Sequence, residues 1–148
     1  MTTHLLSLWH EARARFSNQL IHLYEGDLPK RLNHSPNSVG FLLRHIAEVE
    51  LLFSKNVFGI KDIHITAKTV IDKKDSGEWV NLEELVKFQN YAFTNLELAI
   101  LKQSDEDWKQ VIETKEFGSK TKSEALGRII SHTAYHAGQL AMVIKYGK

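Results

Sequence analysis

Helical periodicity in four segments is the feature that most constrains the fold of this chain. Apolar residues recur at intervals of three and four over roughly residues 3–24, 38–57, 81–103 and 121–146, a spacing typical of amphipathic helices. None of these segments alternates apolar and polar residues as a half-buried strand does, and a short strand is expected only within residues 112–120. The pattern predicts an all-α fold, a four-helix bundle in which each helix buries one face.

Capping sequences mark where two of these helices begin. Asn81 lies three residues before Glu84, and Thr121 lies three residues before Glu124, which is the spacing of an N-cap and its capping-box partner. Gly147 follows the last segment and is a typical helix stop. The third and fourth helices are therefore expected to start at these positions.

The connection between the second and third predicted helices is long. It covers residues 58–80, about 23 residues, whereas two to eight residues usually join neighbouring helices of a bundle. Fully extended, it could reach roughly 75 Å, while a helix of 20 residues is only about 30 Å long. We therefore expect a crossover that returns along the bundle, so that the second and third helices can run parallel.

Composition narrows the class of protein. A chain of 148 residues with 43% hydrophobic residues is the size of one domain, so residues 1–148 are expected to fold as a single unit. A net charge of +1 does not indicate nucleic acid or a membrane surface as a partner. The absence of cysteine excludes disulfides, thiolate ligands and a cysteine nucleophile. Without a leader sequence or a stretch of about 20 apolar residues, a cytoplasmic location is expected.

His132 and His136 are set four residues apart in the fourth predicted helix. This spacing places both imidazoles on one face, one turn apart, with their β-carbons about 5–6 Å from each other. Both rings can then reach one ion. A helical wheel places the pair on the shoulder of the apolar face rather than at its middle, so we expect the rings to border a pocket.

His45 is the best candidate for a third ligand, because it lies within the apolar stripe of the second predicted helix and a basic group there needs a partner. Three histidines and a free position for water or substrate would form an open metal site. The alternative is that His45 is a core histidine hydrogen-bonded to backbone or to Glu48, and that His132 and His136 are ordinary surface residues.

Four further residues are candidates for the surroundings of this site. Arg128, Tyr135 and Gln139 lie beside the histidine pair, where they could line a pocket, orient ligands or substrate, or simply lie at the boundary of the core. Glu48 could accept a proton from a ligand histidine, act as a catalytic base on water, or point to solvent, which is the commonest position of a glutamate. We take Glu48 as the candidate catalytic residue outside the ligand set.

Several other chemistries are excluded by missing motifs. The chain contains no Gly-x-Gly-x-x-Gly, no phosphate loop, no Gly-x-Ser-x-Gly and no His-Glu-x-x-His. Di-iron bundles use Glu-x-x-His on two helices, and neither His132 nor His136 has a glutamate three residues before it. A mononuclear metal site is the remaining hypothesis.

The order of these motifs resembles the DinB/YfiT-like superfamily over essentially the whole chain. The resemblance rests on a first helix without ligands, on Asn-Ser-Val-Gly-Phe-Leu-Leu-Arg-His45-Ile-Ala-Glu-Val-Glu, and on His132-Thr-Ala-Tyr-His136-Ala-Gly-Gln139 in the last helix. It implies an up-down-down-up four-helix bundle that is often a dimer. It also implies that His45, His132 and His136 bind one divalent ion, commonly nickel or zinc.

The resemblance defines a class of function rather than one reaction, since relatives include metal-dependent hydrolases and transferases or isomerases that use mycothiol, bacillithiol or glutathione. We therefore expect a metalloenzyme that activates a water or a low-molecular-weight thiol and acts on a small molecule. The alternative is a non-catalytic helical stress-response or interaction module with a structural or adventitious metal. A homodimer is expected in either case.

Overall fold

The computed structural model describes all 148 residues of the chain. Five helices account for most of it: α1 (Thr2–Leu20), α2 (Val39–Asn56), α3 (Lys68–Asp72), α4 (Leu82–Leu101) and α5 (Lys122–Tyr146). Short 3-10 turns cover Glu25–Asp27 and Asp107–Lys109. Two strands, β1 (Val111–Thr114) and β2 (Gly118–Thr121), pair antiparallel with Val111 opposite Thr121.

The four long helices coincide closely with the four predicted segments. The first helix ends at Leu20 instead of near Tyr24, and a small hairpin, which contains the expected short strand, makes the fold mostly helical instead of all-helical. Helix starts follow the capping residues: the side chains of Ser38, Asn81 and Thr121 each accept a hydrogen bond from the backbone N–H three residues later. Local sequence thus sets where α2, α4 and α5 begin.

The long helices pack against one another through two apolar clusters. α2 packs on α4, and α5 packs on both α1 and α2. The Trp9 cluster includes Trp9, Val49, Phe53, Leu96, Ala125 and Ile129. The Phe16 cluster includes Phe16, Leu43, Ile46, Leu85, Ala137 and Leu140. Each long helix contributes to both clusters, so the histidines of α2 and α5 are attached to a packed core.

A buried polar layer, formed by Arg13, Glu50, Gln89 and Thr133, links all four long helices between these clusters. Arg13 donates to both carboxylate oxygens of Glu50 at 2.9 Å and to the Gln89 side-chain oxygen at 3.0 Å. The Thr133 hydroxyl donates to Glu50 at 3.2 Å. Because every member has a partner, these polar groups can lie in the interior without a large penalty.

The crossover between α2 and α4 docks onto the start of α2. The Ser38 backbone N–H donates to the Asp75 carboxylate at 2.8 Å. Gly40 permits a close approach of the crossover, since a Cβ at this position would lie 1.8 Å from the carbonyl oxygen of Trp79. These contacts hold the crossover, including α3, beside α2.

No helix combines the length and the apolar character that crossing a membrane would require.

Candidate metal centre

The three predicted histidine ligands lie together. His45 on α2 and the α5 pair His132 and His136 each offer a ring nitrogen, and these nitrogens all lie within 4.8 Å of one another. The Nε2 atoms of His45 and His132 are 3.3 Å apart. Two nitrogens bound to one tetrahedral ion at about 2.0–2.1 Å would be about 3.3–3.4 Å apart. The donor set and its spacing therefore fit a single ion, and the cluster could hold one.

The three rings are partly buried, and their surroundings favour the neutral imidazole. Burial, with a smaller effect of His136, lowers the pKa of His45 to about 4. Burial, followed by the neighbouring His136, His45 and Arg128, lowers the pKa of His132 to about 3. Burial also lowers the pKa of His136, against an opposing hydrogen bond with Gln139. All three rings are neutral at pH 7, which is the form that binds metal.

The other ring nitrogens of the α5 pair have different surroundings. Nδ1 of His136 lies 2.7 Å from the side-chain oxygen of Gln139, so Gln139 can orient this ring. Nδ1 of His132 is buried and has no hydrogen-bond partner. The two α5 rings are thus held by packing and by one amide contact.

His45 has a more extended set of partners. Its Nδ1 lies 3.0 Å from the hydroxyl oxygen of Thr69 on α3. The Thr69 hydroxyl in turn donates to Glu48, and the Thr69 backbone N–H donates to the same Glu48 oxygen at 2.8 Å. The other Glu48 oxygen accepts a hydrogen bond from Arg44 Nε at 2.7 Å. Glu48 therefore lies behind His45, separated from it by Thr69.

The position of Glu48 differs from the commonest expectation for a glutamate, because its side chain is fully buried instead of pointing to solvent. Arg44 and Thr69 occupy both carboxylate oxygens, which leaves Glu48 poorly placed to act as a base on a water in the cluster. The Arg44 guanidinium also stacks on Phe88, 3.6 Å from the ring centroid, and this contact further stabilises the ion pair of Arg44 with Glu48.

Arg128 and Tyr135 line a cavity of about 350 Å³ beside the cluster, together with His132, Ser131 and Glu116. Gln139 lines a second cavity, of about 260 Å³, where Leu32, Leu42, Met142 and Val143 supply an apolar wall and none of the three histidines is exposed. A groove between α1 and α4, of about 380 Å³, does not contact the histidines. One cavity thus borders the cluster directly at His132, and another borders Gln139, which contacts His136.

Thr69 and the buried pair of Arg13 and Glu50 were not predicted from the sequence. Thr69 lies in a segment without helical periodicity, so no sequence signal places it beside His45. Arg13 and Glu50 did carry a signal, because Arg13 lies four residues after Trp9 and three before Phe16, on the buried face of α1. A charged residue at such a position predicts a buried partner on another helix.

Solved structures share this fold. The crystal structure of the mycothiol-dependent maleylpyruvate isomerase matches with a TM-score of 0.74 and 16% identity, over 95% of this chain and 60% of that chain. A mutant of that isomerase, with one histidine replaced by alanine, matches with a TM-score of 0.70 and 15% identity over the same shares. The chain thus spans about 60% of the length of these structures. No curated protein sequence matches the chain.

The match of a family model over most of the chain identifies a protein of the DinB/YfiT-like class, as the motifs predicted, and the histidine cluster is consistent with it. Within that class, the family model described as Mycothiol-S-transferase matches residues 4–143. The chain belongs to this family.

Proposed function

We propose that this protein is a mononuclear metal-dependent S-transferase that activates a low-molecular-weight thiol for attack on a small electrophile. The observation that carries the proposal is the convergence of three neutral imidazoles, His45, His132 and His136, within 4.8 Å in a chain of the mycothiol S-transferase family. The cluster contains no fourth histidine or carboxylate, and catalytic zinc sites likewise keep a position open beside three protein ligands.

The donor set suits several divalent ions, and zinc or nickel is the expected cofactor because imidazole nitrogens suit both metals. When bound, such an ion would lower the pKa of a thiol or a water in the open position and so supply a nucleophile at neutral pH. The neutral rings of the cluster add no charge that would offset this effect.

Two cavities, one bordering His132 and one bordering Gln139, support a reaction between two substrates. We assign the cavity lined by Arg128, Ser131 and Tyr135 to the polar thiol substrate, because charged and hydroxyl groups can hydrogen-bond to it. We assign the cavity lined by Leu42, Met142 and Val143 to the electrophile, since its wall is apolar. In this arrangement the thiol lies against His132, and the electrophile lies next to Gln139, which contacts His136.

The proposed architecture is an up-down-down-up four-helix bundle formed by residues 1–148 as one domain. The order of the two clusters along the helices supports it: α1 and α5 run from the Trp9 cluster to the Phe16 cluster, whereas α2 and α4 run in the reverse direction. The crossover then joins two helices of the same direction. A cytoplasmic location and a homodimer complete the proposal.

The test is a thiol-transfer assay with protein reconstituted with zinc or nickel. Mycothiol, bacillithiol and glutathione are each offered with a chlorinated aromatic electrophile, and conjugate formation is followed by absorbance. We expect turnover that requires both the metal and one of the thiols, and that is lost in His136→Ala but kept in the exposed-site control His22→Ala.

Other outcomes would identify the alternatives. Ester or amide hydrolysis without any thiol requirement would indicate that water is the nucleophile. If the cobalt- or nickel-substituted protein shows no spectral change with thiol or azide, the position is closed, and the protein is a non-catalytic module with a structural or adventitious metal.

A further inference from the structure

Thr69 stands between a ligand histidine and a buried carboxylate. Its hydroxyl oxygen lies 3.0 Å from His45 Nδ1, and its side chain is almost entirely buried, with 2% of the residue exposed. Its hydroxyl and its backbone N–H both donate to one oxygen of Glu48. A carboxylate in an ion pair with Arg44 accepts hydrogen bonds and does not donate them.

These contacts determine which ring nitrogen of His45 carries hydrogen. Since the Thr69 hydroxyl hydrogen is directed to Glu48, the hydroxyl oxygen can only accept from His45. Nδ1 of His45 must then be the N–H, and Nε2, which lies 3.3 Å from His132 Nε2, carries the lone pair. The tautomer that can bind an ion through Nε2 is therefore set by protein contacts alone.

The other two histidines lack this constraint. The side-chain oxygen of Gln139 faces His136 Nδ1, but rotation of the amide would present its NH₂ group instead, so this contact by itself does not select one tautomer. Nδ1 of His132 has no partner at all. Among the three rings, His45 is the one whose tautomer is set by a chain of groups outside the cluster with fixed donor and acceptor roles.

We propose that Thr69 is a positioning residue that, with Glu48 behind it, holds His45 in the Nδ1–H tautomer and directs Nε2 into the cluster. This inference rests on the proposed function in one respect, since the value of the tautomer lies in binding the ion. It also gives the crossover a role, because α3 supplies from a separate segment the contact that orients the ligand of α2. Partners of this kind typically change metal affinity by 10- to 100-fold.

The test measures the tautomer in the metal-free protein and the metal affinity separately. Long-range ¹H–¹⁵N correlation spectra at neutral pH assign the hydrogen on each His45 ring nitrogen. We expect Nδ1–H in the unmodified protein and in Thr69→Ser, which keeps a hydroxyl, and a tautomer mixture in Thr69→Val, which has the same shape without a hydroxyl. Thr66→Val, an exposed site in the same segment, is the matched control and should leave the tautomer unchanged.

Zinc titration of the same proteins should give an affinity about 10- to 100-fold lower for Thr69→Val, with recovery in Thr69→Ser. An Nε2–H tautomer in the unmodified protein overturns the inference even if Thr69→Val does not fold. An unchanged tautomer and affinity in folded Thr69→Val overturn it as well. Failure of the unmodified protein to bind zinc would instead remove the proposed function, while the tautomer measurement would still decide the role of Thr69.

Discussion

The guanidinium of Arg13 on α1 and the carboxylate of Glu50 on α2 form a bidentate ion pair in the interior of the protein. Arg13 Nε and Nη2 each lie 2.9 Å from a different oxygen of Glu50. The side chains are 4% and 0% exposed, so both charges have left water. Each charge of such a pair neutralises the other, and removing one partner leaves a buried charge without a counterion.

Arg13→Ala should therefore lower the free energy of unfolding by about 3–5 kcal/mol, as measured by urea denaturation. The control is Lys87→Ala, whose ion pair with Glu83 is exposed and should contribute less than about 1 kcal/mol. The double variant Arg13→Met with Glu50→Leu should lose less stability than Arg13→Ala, because no charge remains buried. Equal losses in Arg13→Ala and Lys87→Ala would contradict this account.

Metal binding should require each histidine of the cluster. His45→Ala, His132→Ala and His136→Ala should each abolish stoichiometric binding of zinc or nickel, because two imidazoles hold an ion far less tightly than three. Metal content after dialysis, measured on protein purified without a histidine tag, checks this. His22→Ala, at an exposed position outside the cluster, should bind one ion per chain. Full occupancy in all three cluster variants would reject the site.

The lowered pKa values predict how acid affects the protein. As pH falls below 6.5, the usual value for histidine, the unfolded chain takes up protons, whereas His45 and His132 in the fold do so only near pH 4 and 3. The unfolded state therefore binds more protons in this window, and the free energy of unfolding of the metal-free protein should fall as pH falls from about 6.5 toward 4. Denaturation curves across this range check the sign.

Metal affinity should respond to the same shifts. Protons compete with metal for free imidazoles near pH 6, but they compete weakly for rings whose pKa values are about 4 and about 3. Affinity measured by isothermal titration should thus be nearly constant from about pH 7 to 6 and fall at lower pH. A tenfold loss already at about pH 6 would show that the rings are protonated as in free histidine.

Gly40 and Gly127 offer a matched pair of substitutions. A Cβ at Gly40 would lie 1.8 Å from the Trp79 carbonyl oxygen, so Gly40→Ala should destabilise the protein by about 1–3 kcal/mol through displacement of the crossover backbone. Nothing lies within 4 Å of a Cβ at Gly127 on α5, where alanine should stabilise by about 0.5–1 kcal/mol. Thermal unfolding of both variants gives the comparison, and a stabilised Gly40→Ala would contradict it.

Self-association should involve the exposed face of α5. Tyr135, Met142 and Tyr146 are 65%, 50% and 57% exposed, and their spacing of seven and four residues places them on one side of the helix. Sedimentation at micromolar concentration should give about twice the 17.0 kDa mass of one chain. Tyr146→Glu should shift the protein toward monomer, whereas Tyr91→Glu on α4 should not. A monomer in the unmodified protein would exclude the dimer.

Much of the fold could be predicted because helical periodicity and capping are local properties. The four long helices, the capping residues Asn81 and Thr121, and the association of His132 with His136 all follow from spacing within one segment. The end of α1 was less predictable, since Leu23 continues the apolar spacing and still packs on the Phe16 cluster after the helix has ended at Leu20. A non-helical segment can place an apolar side chain at the same position as a continued helix would.

The contacts around the histidines were harder to predict because they join distant segments. Thr69 reaches His45 and Glu48 only when the crossover folds back on α2, and that return depends on contacts such as those of Asp75 with Ser38. Glu48 was difficult to predict for the same reason, since a glutamate close to His45 on α2 can face solvent, the histidine or a third residue. Which of these occurs depends on a segment 21 residues later in the chain.

The polar layer also constrains how the long helices are aligned along their axes. Sliding one long helix by a single turn, about 5.4 Å, would move its polar residue into an apolar cluster and separate Glu50 from a donor. Thr133, a member of the layer, directly follows His132 in the chain. The helix register that pairs Thr133 with Glu50 therefore also sets the position of His132 along α5 relative to His45. Folding of the chain therefore aligns the three histidines by itself, and a mutation far from the cluster can misalign them.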